Sequence, residues 1–369
     1  MLIGNLLKST DKKYQKIPIK GIAFDSRKLK KKDVFFAIDG NRTLGTKFVQ
    51  EAKRRGAVAI VCQKKIGNKD LKIPTILVKD VRKALAEACS NFYKKKPSNI
   101  IAVTGTNGKS SVADFFYQIL KFNKISVASI GTLGIISKNY RKKTNLTSMD
   151  PLSLHKNLET LSKKRIKHVI LEASSHGLKQ KRLDNISFKI GIFTNLSHDH
   201  LDYHKNMKSY LDSKMHLFKN ILDKNSKIIV DEDIKEFKTI NNIRIKRKIK
   251  QITIGKNSKN LKILQNTYKN NKQIVKILLN SKNFNVEIPL IGYFQIKNLL
   301  MAVLAAASCG LKKSRILNQI HKIKAVPGRL ECVANLKNNS NIIVDFAHTP
   351  DALEQSLMAL REQFKKEIL

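Results

Sequence analysis

Residues 196–218 concentrate side chains that can bind metal ions or transfer protons. Their sequence, LSHDHLDYHKNMKSYLDSKMHLF, holds four histidines and three aspartates between His198 and His216, with Lys214 among them. A cluster of this composition is typical of a hydrolytic metal centre, but it can also form one wall of a nucleotide site whose other parts lie elsewhere in the chain.

The hydrolase interpretation fits the spacing poorly. HDHLDYH resembles the H-x-H-x-D-H zinc motif of metallo-β-lactamase-type hydrolases, in which the aspartate and the last histidine are adjacent. Here Tyr203 separates Asp202 from His204. That fold also lacks an upstream phosphate loop, so the nucleotide-site interpretation is favoured.

A glycine-rich loop, VTGTNGKSS (103–111), lies between the predicted strand NIIAVTG and a predicted helix over Lys109–Phe122. In this context backbone N–H groups at a helix N-terminus bind phosphates. Lys109 would reach the β- and γ-phosphates, and the Ser110 hydroxyl would coordinate Mg²⁺. The loop departs from the strict GxxxxGK[ST] pattern, since Val103 stands at the position of the first glycine. An ordinary strand-to-helix turn is the alternative.

Two later residues are candidate Mg²⁺ ligands. The strand in HVILEASSHG (168–177) ends at Glu172, and a carboxylate opposite a phosphate loop can share a metal ion with phosphate oxygens. His200 follows the strand FKIGIFTN, which is predicted to run parallel to the first. The two side chains are therefore expected at the same edge of one sheet.

The elements that must position these residues alternate between strands and helices. Residues 1–96 show short strands and a helical stretch over Thr46–Arg55, and KKKPSN (94–99) is typical of a linker. Beyond it, strands of buried type alternate with helices, which predicts a parallel sheet with covered faces.

Three further stretches complete the predicted organisation. Asp150 and Pro151 predict an N-cap and a helix that carries Leu152, Leu158 and Leu161 on one side. Residues 240–288 indicate short alternating strands. The segment from Val326 to Leu369 allows a strand or two and one helix, over Asp351–Phe364, and is too short to hold a core unaided.

Composition limits the other classes of function. The net charge of +44 is compatible with binding to a polyanion, but lysines occur along the whole chain and no aromatic residues interleave with the basic runs. No specific nucleic-acid partner is therefore expected. No apolar run has the length of a membrane span, and four scattered cysteines indicate reduced, mostly buried thiols in the cytoplasm.

Seven motifs together resemble one family. TGTNGKS, EASSHGL, TNLSHDHLDYH, YLDSKMHLF, GYFQIKN, VPGRLE and VDFAHTPDAL follow one another as in the Mur ligases, and FDSRKLKKKDVFFAIDG resembles that family's N-terminal uridine-nucleotide motif. The resemblance implies an α/β fold with three domains, the central one a parallel-sheet P-loop ATPase domain. The implied domains are 1–96 for the UDP-sugar, 97–325 for ATP, and 326–369 as the start of an incomplete ligase domain.

The resemblance also implies an activity in peptidoglycan precursor synthesis. It is the ATP-dependent addition of a diamino acid to UDP-N-acetylmuramoyl-L-alanyl-D-glutamate through an acyl-phosphate, by a monomeric cytoplasmic enzyme. Family members continue to a D-N-P-R motif that selects the amino acid, so diaminopimelate and lysine both stay open. A folylpolyglutamate synthase-like ligase is the nearest alternative, against which FDSR and EASSHGLKQKR argue. A basic nucleic-acid-binding protein is less favoured.

Site residues are carried over from the matched motifs. Those implied for ATP are Gly105, Thr106, Asn107, Gly108, Lys109, Ser110, Ser111, Asn298, His348 and Asp351. Those implied for Mg²⁺ are Ser110, Glu172, His200 and Lys214, with Lys214 carbamylated, and the catalytic residues are Lys109, Lys214 and His200. Those implied for the sugar nucleotide and its peptide are Phe24, Ser26, Asn41, Arg42, Thr43, Thr147, Ser148, Ser174, Gln180 and Arg182.

Overall fold

The structure is a computed structural model that describes residues 1–8, 10–40, 43–66, 71–269, 272–336 and 340–364. It divides into two compact units. The first consists of Met1–Pro97, Met149–Lys164 and Gly177–Ile186, and the second of Ser98–Ser148, Arg165–His176 and Ser187–Leu369. The division into three domains at residues 96 and 325 remains a prediction.

The described elements alternate along most of the chain. The strands are β1 (Gly21–Ala23), β2 (Asp33–Phe36), β3 (Ala59–Cys62), β4 (Thr75–Leu77), β5 (Asn99–Thr104), β6 (Val127–Gly131), β7 (Gly134–Ser137), β8 (Tyr140–Lys142), β9 (His168–Glu172), β10 (Ile190–Phe193), β11 (Lys227–Asp231), β12 (Lys250–Gly255), β13 (Leu261–Lys269), β14 (Lys272–Leu279), β15 (Lys282–Ile288), β16 (Glu331–Asn335) and β17 (Asn341–Val344). The helices are α1 (Ile3–Leu6), α2 (Val49–Arg54), α3 (Val81–Phe92), α4 (Lys109–Phe122), α5 (Pro151–Lys163), α6 (Ser175–Lys179), α7 (Leu201–His204), α8 (Met207–His216), α9 (Phe237–Arg247), α10 (Tyr293–Ser308), α11 (Lys313–Leu317) and α12 (Pro350–Phe364).

The first unit is built on a parallel sheet in the order β1-β2-β3-β4. Helix α5 begins as predicted, because the Asp150 carboxylate accepts a hydrogen bond from the Ser153 N–H at 2.8 Å. Its buried side carries Leu154, Leu158 and Leu161, whereas Leu152 is only half-buried. The prediction for Leu152 was therefore wrong, since the 3.6-residue period selects position 154 instead.

The second unit contains an eleven-stranded sheet in the order β15-β14-β13-β12-β11-β10-β5-β9-β6-β7-β8. The seven middle strands, from β13 through β12, β11, β10, β5 and β9 to β6, pair in parallel. This parallel arrangement confirms the predicted α/β class. Both margins are antiparallel. Strand β14 alternates buried side chains with exposed or partly buried ones, because one face of an antiparallel sheet edge is exposed to solvent.

The helix that follows the glycine-rich loop, α4, has the predicted bounds, Lys109–Phe122, and buries Phe115, Phe116 and Leu120. It shares one core cluster with α10, whose side chains from Leu299 to Ala306 are all buried. A helix that is apolar on all sides lies inside its domain. Helix α10 therefore fixes the position of the loop by packing on α4.

Two segments differ in detail from the sequence predictions. The helix expected over Thr46–Arg55 is a 3-10 turn over Gly45–Phe48 followed by α2. Within 240–288 the structure has the end of α9, then β12 and three strands of seven to nine residues rather than short ones. The alternation of apolar and polar residues in these strands was hard to recognise in the sequence, because lysine and asparagine occupy the exposed positions.

Two further findings concern the cysteines and the apolar composition of the helices. All four cysteines are free thiols; Cys62 and Cys89 are buried, Cys309 is partly buried and Cys332 is exposed. Among the described helices, none combines the length and the apolar composition that crossing a bilayer requires.

Buried His155 predicts a loss of stability in mild acid. The side chain is 0% exposed, and neither ring nitrogen has a hydrogen-bond partner among the described residues. Burial, and then the charge of Lys96, lower its pKa from 6.5 to about 3. The unfolded chain therefore binds the proton first, so stability falls as the pH drops below 6.5, by about 2 kcal/mol between pH 7 and pH 5.

Urea unfolding at pH 7 and pH 5 measures this loss. His155→Leu is expected to remove about 2 kcal/mol of the pH dependence. The exposed His321 supplies the control, because His321→Gln should leave the pH dependence of wild type intact. Equal pH dependence in all three proteins would contradict the assignment to His155.

Candidate active site

The candidate site lies at the carboxyl ends of four neighbouring strands, β10, β5, β9 and β6. The glycine-rich loop follows β5, Glu172 is the last residue of β9, and Thr132 follows the last residue of β6. Ligands of open α/β sheets bind at this edge, where helix N-termini and strand ends meet. The order of the strands therefore brings together residues that are far apart in the sequence.

Glycines at two positions of the loop are required by its conformation. Gly105 and Gly108 have φ angles of +150° and +84°. A Cβ at Gly105 would overlap the Thr194 hydroxyl, and one at Gly108 would lie 2.5 Å from Asn298 Oδ1. The backbone therefore passes close to its neighbours, as a loop that presents N–H groups to phosphates must.

Two lysine amines converge on one carbonyl oxygen of this loop. Lys109 Nζ donates to the Gly105 and Thr106 carbonyls at 3.0 and 2.6 Å, and Lys214 Nζ donates to the same Gly105 oxygen at 2.7 Å. Burial lowers the pKa of Lys109, and burial together with the charge of Lys109 lowers the pKa of Lys214 well below its usual value. Lys214 is 1% exposed, so it is the amine that the site favours in its neutral form.

Glu172 occupies the centre of a hydroxyl cluster. Ser110 Oγ donates to Glu172 Oε2 at 3.0 Å, while the Thr132 N–H and hydroxyl donate to Oε1 and Oε2 at 2.9 and 3.2 Å. The carboxylate is 3% exposed, and no described lysine, arginine or histidine forms an ion pair with it. A buried carboxylate beside a loop serine has the oxygen donors that Mg²⁺ prefers. These residues therefore fit the metal.

His200 lies beside the same loop, in the left-handed conformation, with φ +52°. Its ring packs edge-on against His176 and Tyr210 at centroid distances of 5.0 and 6.1 Å. Burial lowers its pKa; the carboxylate of Asp199 raises it, and the charges of Lys109 and Lys214 lower it further. The neutral imidazole is the form that can coordinate a metal.

The remaining histidines of the 196–218 cluster do not converge on one point. His204 is 0% exposed, and its nitrogens are 3.0 Å from Ser175 Oγ and 3.2 Å from Ser213 Oγ. His198 is exposed, and His216 Nδ1 is 3.0 Å from Asn220 Oδ1. Within the described ranges, no three His, Cys, Asp or Glu side chains are grouped to hold a metal ion. The geometry does not support a dinuclear hydrolase, because His204 serves to tie α6, α7 and α8 together.

Tyr210 is a site residue that sequence reasoning missed. Its hydroxyl is 3.2 Å from Thr106 Oγ1 of the loop, and its ring lies 4.2 Å from Lys214 Nζ. Burial raises its pKa to about 12, so the hydroxyl keeps its proton. The signal was present in the sequence, because residues four apart on a helix share a face.

Arg329 was also missed, although VPGRLE had been singled out. Its guanidinium lies 4.7 Å from the Phe346 ring, and its charge lowers the pKa of Lys109. His348 Nδ1 is 3.0 Å from the Phe346 carbonyl oxygen. In the described part of the chain, neither His348 nor Asp351 forms a hydrogen bond or ion pair with the loop. The ATP role carried over to them stays a prediction.

Other carried-over positions lie in the loop, beside it, or next to Glu172 and Thr132. Thr147 Oγ1 is 3.2 Å from Thr132 Oγ1. Ser148 Oγ donates to the Glu172 carbonyl at 2.8 Å and accepts from the Ser174 N–H at 2.9 Å. Asn298 packs against Gly108, because a Cβ added at Gly108 would lie 2.5 Å from Asn298 Oδ1. Asn107 N–H donates to Asn195 Oδ1 at 2.9 Å, whereas Ser111 is buried inside α4.

Several of the positions implied for the sugar nucleotide and its peptide lie in the first unit. Ser26 Oγ donates to Glu51 Oε2 at 2.6 Å, and Phe24 is partly buried in the core. Thr43 is exposed, and Asn41 and Arg42 lie outside the described residues. Arg182 donates to Gln180 Oε1 at 2.6 Å. Their substrate roles stay predictions.

Thr132 predicts a measurable change in Mg²⁺ affinity. Thr132→Val removes the hydroxyl that holds Glu172 Oε2 but keeps the backbone N–H that holds Oε1. We expect the Mg²⁺ concentration needed for half-maximal nucleotide binding to rise by roughly tenfold, the effect of one hydrogen bond to a charged group. Thr132→Ser is the control and should retain wild-type affinity. An unchanged Mg²⁺ dependence in the valine variant would refute the role.

Family models and relatives agree with this geometry. Residues 103–306 match the Mur ligase middle domain, and residues 18–93 match the Mur ligase family catalytic domain. The UDP-N-acetylmuramoyl-L-alanyl-D-glutamate–2,6-diaminopimelate ligase of Rickettsia montanensis is 40% identical over 353 residues, which cover 94% of this chain and 72% of the relative.

Solved structures show the same fold. A UDP-N-acetylmuramoyl-L-alanyl-D-glutamate–2,6-diaminopimelate ligase superposes with a TM-score of 0.85 at 27% identity, covering 98% of this chain and 74% of that one. A complex of FPGS with AMPPCP and folate superposes with a TM-score of 0.63 at 15% identity, covering 78% and 76%, and shares the fold alone. Since a family model spans more than half of the sequence and a relative at 40% identity spans nearly all of it, the chain belongs to the Mur ligase family.

Proposed function

We propose that the chain is an ATP-dependent acid–amino-acid ligase that joins 2,6-diaminopimelate to UDP-N-acetylmuramoyl-L-alanyl-D-glutamate. The relative from Rickettsia montanensis bears the name of this activity and matches nearly the whole chain. The observation that carries the proposal is the convergence of Lys109, Lys214 and Glu172 on one phosphate loop. Diaminopimelate, rather than lysine, is the amino acid in the relative's name.

The reaction has two steps. A carboxylate oxygen of the D-glutamate residue attacks the γ-phosphorus of ATP, so ADP leaves and an acyl-phosphate forms. An amine of diaminopimelate then attacks the acyl carbon, inorganic phosphate leaves, the amine gives up a proton, and an amide bond remains. In this proposal Lys109 donates to the phosphate oxygens. The assignment is supported by its amine, which lies within hydrogen-bond distance of the loop carbonyls.

Glu172, Ser110 and His200 are the residues that would hold Mg²⁺, together with Lys214 once it carries a carbamate. When bound, the metal neutralises charge that develops on the transferred phosphoryl group. The carboxylate of Glu172 keeps the direction needed for binding, because three donors from Ser110 and Thr132 orient it. The ring of His200 is oriented by His176 and Tyr210.

We propose that Lys214 is carbamylated, and its surroundings support this. The neutral amine adds to CO₂ and releases a proton, which gives an anion of carboxylate type. Lys214 is almost fully buried and shares one carbonyl acceptor with Lys109, so two ammonium ions at that point would repel each other. Conversion to an anion removes this repulsion and supplies a metal ligand.

The remaining substrate positions are part of the same proposal. Ser148 and Ser174 lie beside Glu172, and Thr147 contacts Thr132; these three residues would receive the peptide portion near the transferred phosphoryl group. Phe24, Ser26 and Thr43 belong to the first unit and are proposed to bind the sugar nucleotide. Gln180 and Arg182, also in the first unit, are proposed to hold the muramoyl-peptide portion. Asn298, His348 and Asp351 are proposed to line the ATP site.

Substrate titrations test the function. We expect saturable binding of MgATP and of UDP-N-acetylmuramoyl-L-alanyl-D-glutamate by calorimetry, and ADP release that needs both this substrate and diaminopimelate. L-Lysine in place of diaminopimelate is the matched control and should give less ADP. Binding of folate, with no binding of the UDP-sugar, would instead place the chain with the folate ligases.

A further inference from the structure

Gln180 and Arg182, the residues proposed to hold the muramoyl-peptide portion, stand on either side of Lys181 in the turn that follows α6. Two backbone hydrogen bonds close this turn. The Lys181 N–H donates to the Leu178 carbonyl at 3.0 Å, and the next N–H along the chain donates to the Gly177 carbonyl at 2.9 Å. This pair of bonds is the Schellman motif of a helix C-terminus.

Lys181 occupies the position of this motif at which glycine is preferred. Its φ angle is +56°, in the left-handed region that is unfavourable for a residue with a side chain. A backbone of this kind persists where neighbouring groups hold it. Lys181 has such a neighbour, because its amine forms an ion pair with the Asp80 carboxylate, and the two side chains are only 31% and 30% exposed.

Asp80 contacts two segments at once. Its Oδ1 caps α3 by accepting hydrogen bonds from the Arg82 and Lys83 N–H groups, both at 3.0 Å. Its Oδ2 is the oxygen that pairs with Lys181. The first turn of α3 therefore fixes the carboxylate on one side, and the second oxygen of that carboxylate holds the turn that follows α6.

The first turn of α3 also contacts a second segment with a proposed substrate role. Arg82 Nη2 donates to the Asp39 carbonyl oxygen at 2.7 Å. Asp39 begins the stretch that leads to Thr43, and its carboxylate accepts a hydrogen bond from the Gly45 N–H at 2.8 Å. Asp39 is therefore held through its backbone by α3 and through its side chain by the end of its own loop.

We propose that Asp80 and Arg82 are positioning residues for the sugar-nucleotide substrate. Asp80 acts through Lys181 on the turn that carries the two muramoyl-peptide residues, and Arg82 acts through Asp39 on the stretch that leads to Thr43. All of these residues belong to the first unit. Segments that are ordered before the substrate arrives lose less conformational freedom on binding, which raises affinity. The inference rests on the proposed function, since that function supplies the substrate.

Asp80→Asn separates the helix cap from the ion pair. Asparagine caps helices as well as aspartate does, so α3 should keep its N-terminus, but the neutral amide cannot pair with the charge of Lys181. We expect the affinity for UDP-N-acetylmuramoyl-L-alanyl-D-glutamate, measured by calorimetry, to fall roughly fivefold, the upper range for a partly exposed ion pair. The affinity for MgATP and the unfolding temperature should stay close to those of wild type.

Lys181→Gly makes the distinction sharper. Glycine suits the left-handed position, so stability should be retained or increased, yet the ion pair is lost and substrate affinity should again fall roughly fivefold. The double variant with Asp80→Asn should lose no more affinity than either single variant, because both act through one contact. Lys124 is the matched control, since it follows α4 with φ +59° and is exposed. Lys124→Gly should leave substrate affinity within about twofold of wild type.

Arg82→Met tests the second contact. The variant keeps the backbone N–H that Asp80 caps but removes the donor to the Asp39 carbonyl. We expect a loss of substrate affinity of roughly fivefold, the effect of one hydrogen bond from a charged group. Lys83→Met changes an exposed side chain on the same turn and should have no effect.

Three results would overturn the proposal, and they are distinguishable. Equal substrate affinities in wild type, Asp80→Asn, Lys181→Gly and Arg82→Met would refute the positioning role while the proposed function stands. Parallel losses of stability and MgATP affinity in these variants would mean that the residues serve only the fold. Absence of UDP-N-acetylmuramoyl-L-alanyl-D-glutamate binding by wild type would refute the proposed function itself, and this inference with it.

Discussion

Lys109→Met is expected to weaken MgATP binding by about 100-fold or more, the cost of losing a charge-assisted contact to phosphate in a desolvated site. Methionine keeps most of the length and volume of the lysine side chain, so the loop should keep its conformation. The amine of Lys109 already lies 3.0 and 2.6 Å from two loop carbonyls, which shows that it reaches back over the loop. Isothermal titration with MgATP measures the loss.

Helix α4 offers the matched control for this variant. Lys121 is in the last turn of the same helix and is exposed. Lys121→Met should leave the affinity within about twofold of wild type, as expected for an exposed lysine away from the ligand. Similar affinities for Lys109→Met and wild type would mean that the loop does not bind the phosphates of ATP.

Lys214→Met is expected to lower ligase turnover by on the order of 100-fold or more, because the variant cannot form the carbamate that we propose as a metal ligand. The substitution puts an apolar side chain in a site where the lysine is 1% exposed, so the fold should persist. Incubation of wild type with ¹³C-bicarbonate should give a carbamate carbon signal in the NMR spectrum. The variant should lack that signal, and excess bicarbonate should not restore its activity.

The control for Lys214 is Lys208, an exposed lysine on the same helix. Lys208→Met should retain both turnover and the carbamate signal. Full turnover in Lys214→Met would end the carbamate hypothesis. Loss of turnover with the carbamate signal intact would move the modification to another lysine.

Local features of this protein were readable from the sequence. Helix α4 has its predicted bounds because an apolar stripe of period 3.6 follows the loop. The N-cap at Asp150 and the strand that ends at Glu172 also depend on short-range patterns. The seven ordered motifs indicated the Mur ligase family, which the family models and the relatives confirm.

Other features needed the tertiary structure because they depend on which strands are neighbours. Thr132 holds Glu172 only because β6 pairs with β9, although forty residues separate the two side chains. The antiparallel strands at both edges of the sheet were not predicted for the same reason. Whether one face or both faces of a strand are buried depends on tertiary packing.

The sequence by itself determined the family, the loop and the types of residue that could serve ATP and Mg²⁺, because spacing and residue chemistry are local properties. Only the tertiary structure decided that Lys214 is buried beside Lys109 and that His204 is a structural residue rather than a metal ligand. The physical reason is that burial determines both the protonation state of a titratable side chain and the groups with which it forms hydrogen bonds. A lysine or histidine acquires its role from the atoms packed around it, and the chain's folding brings those atoms from distant positions.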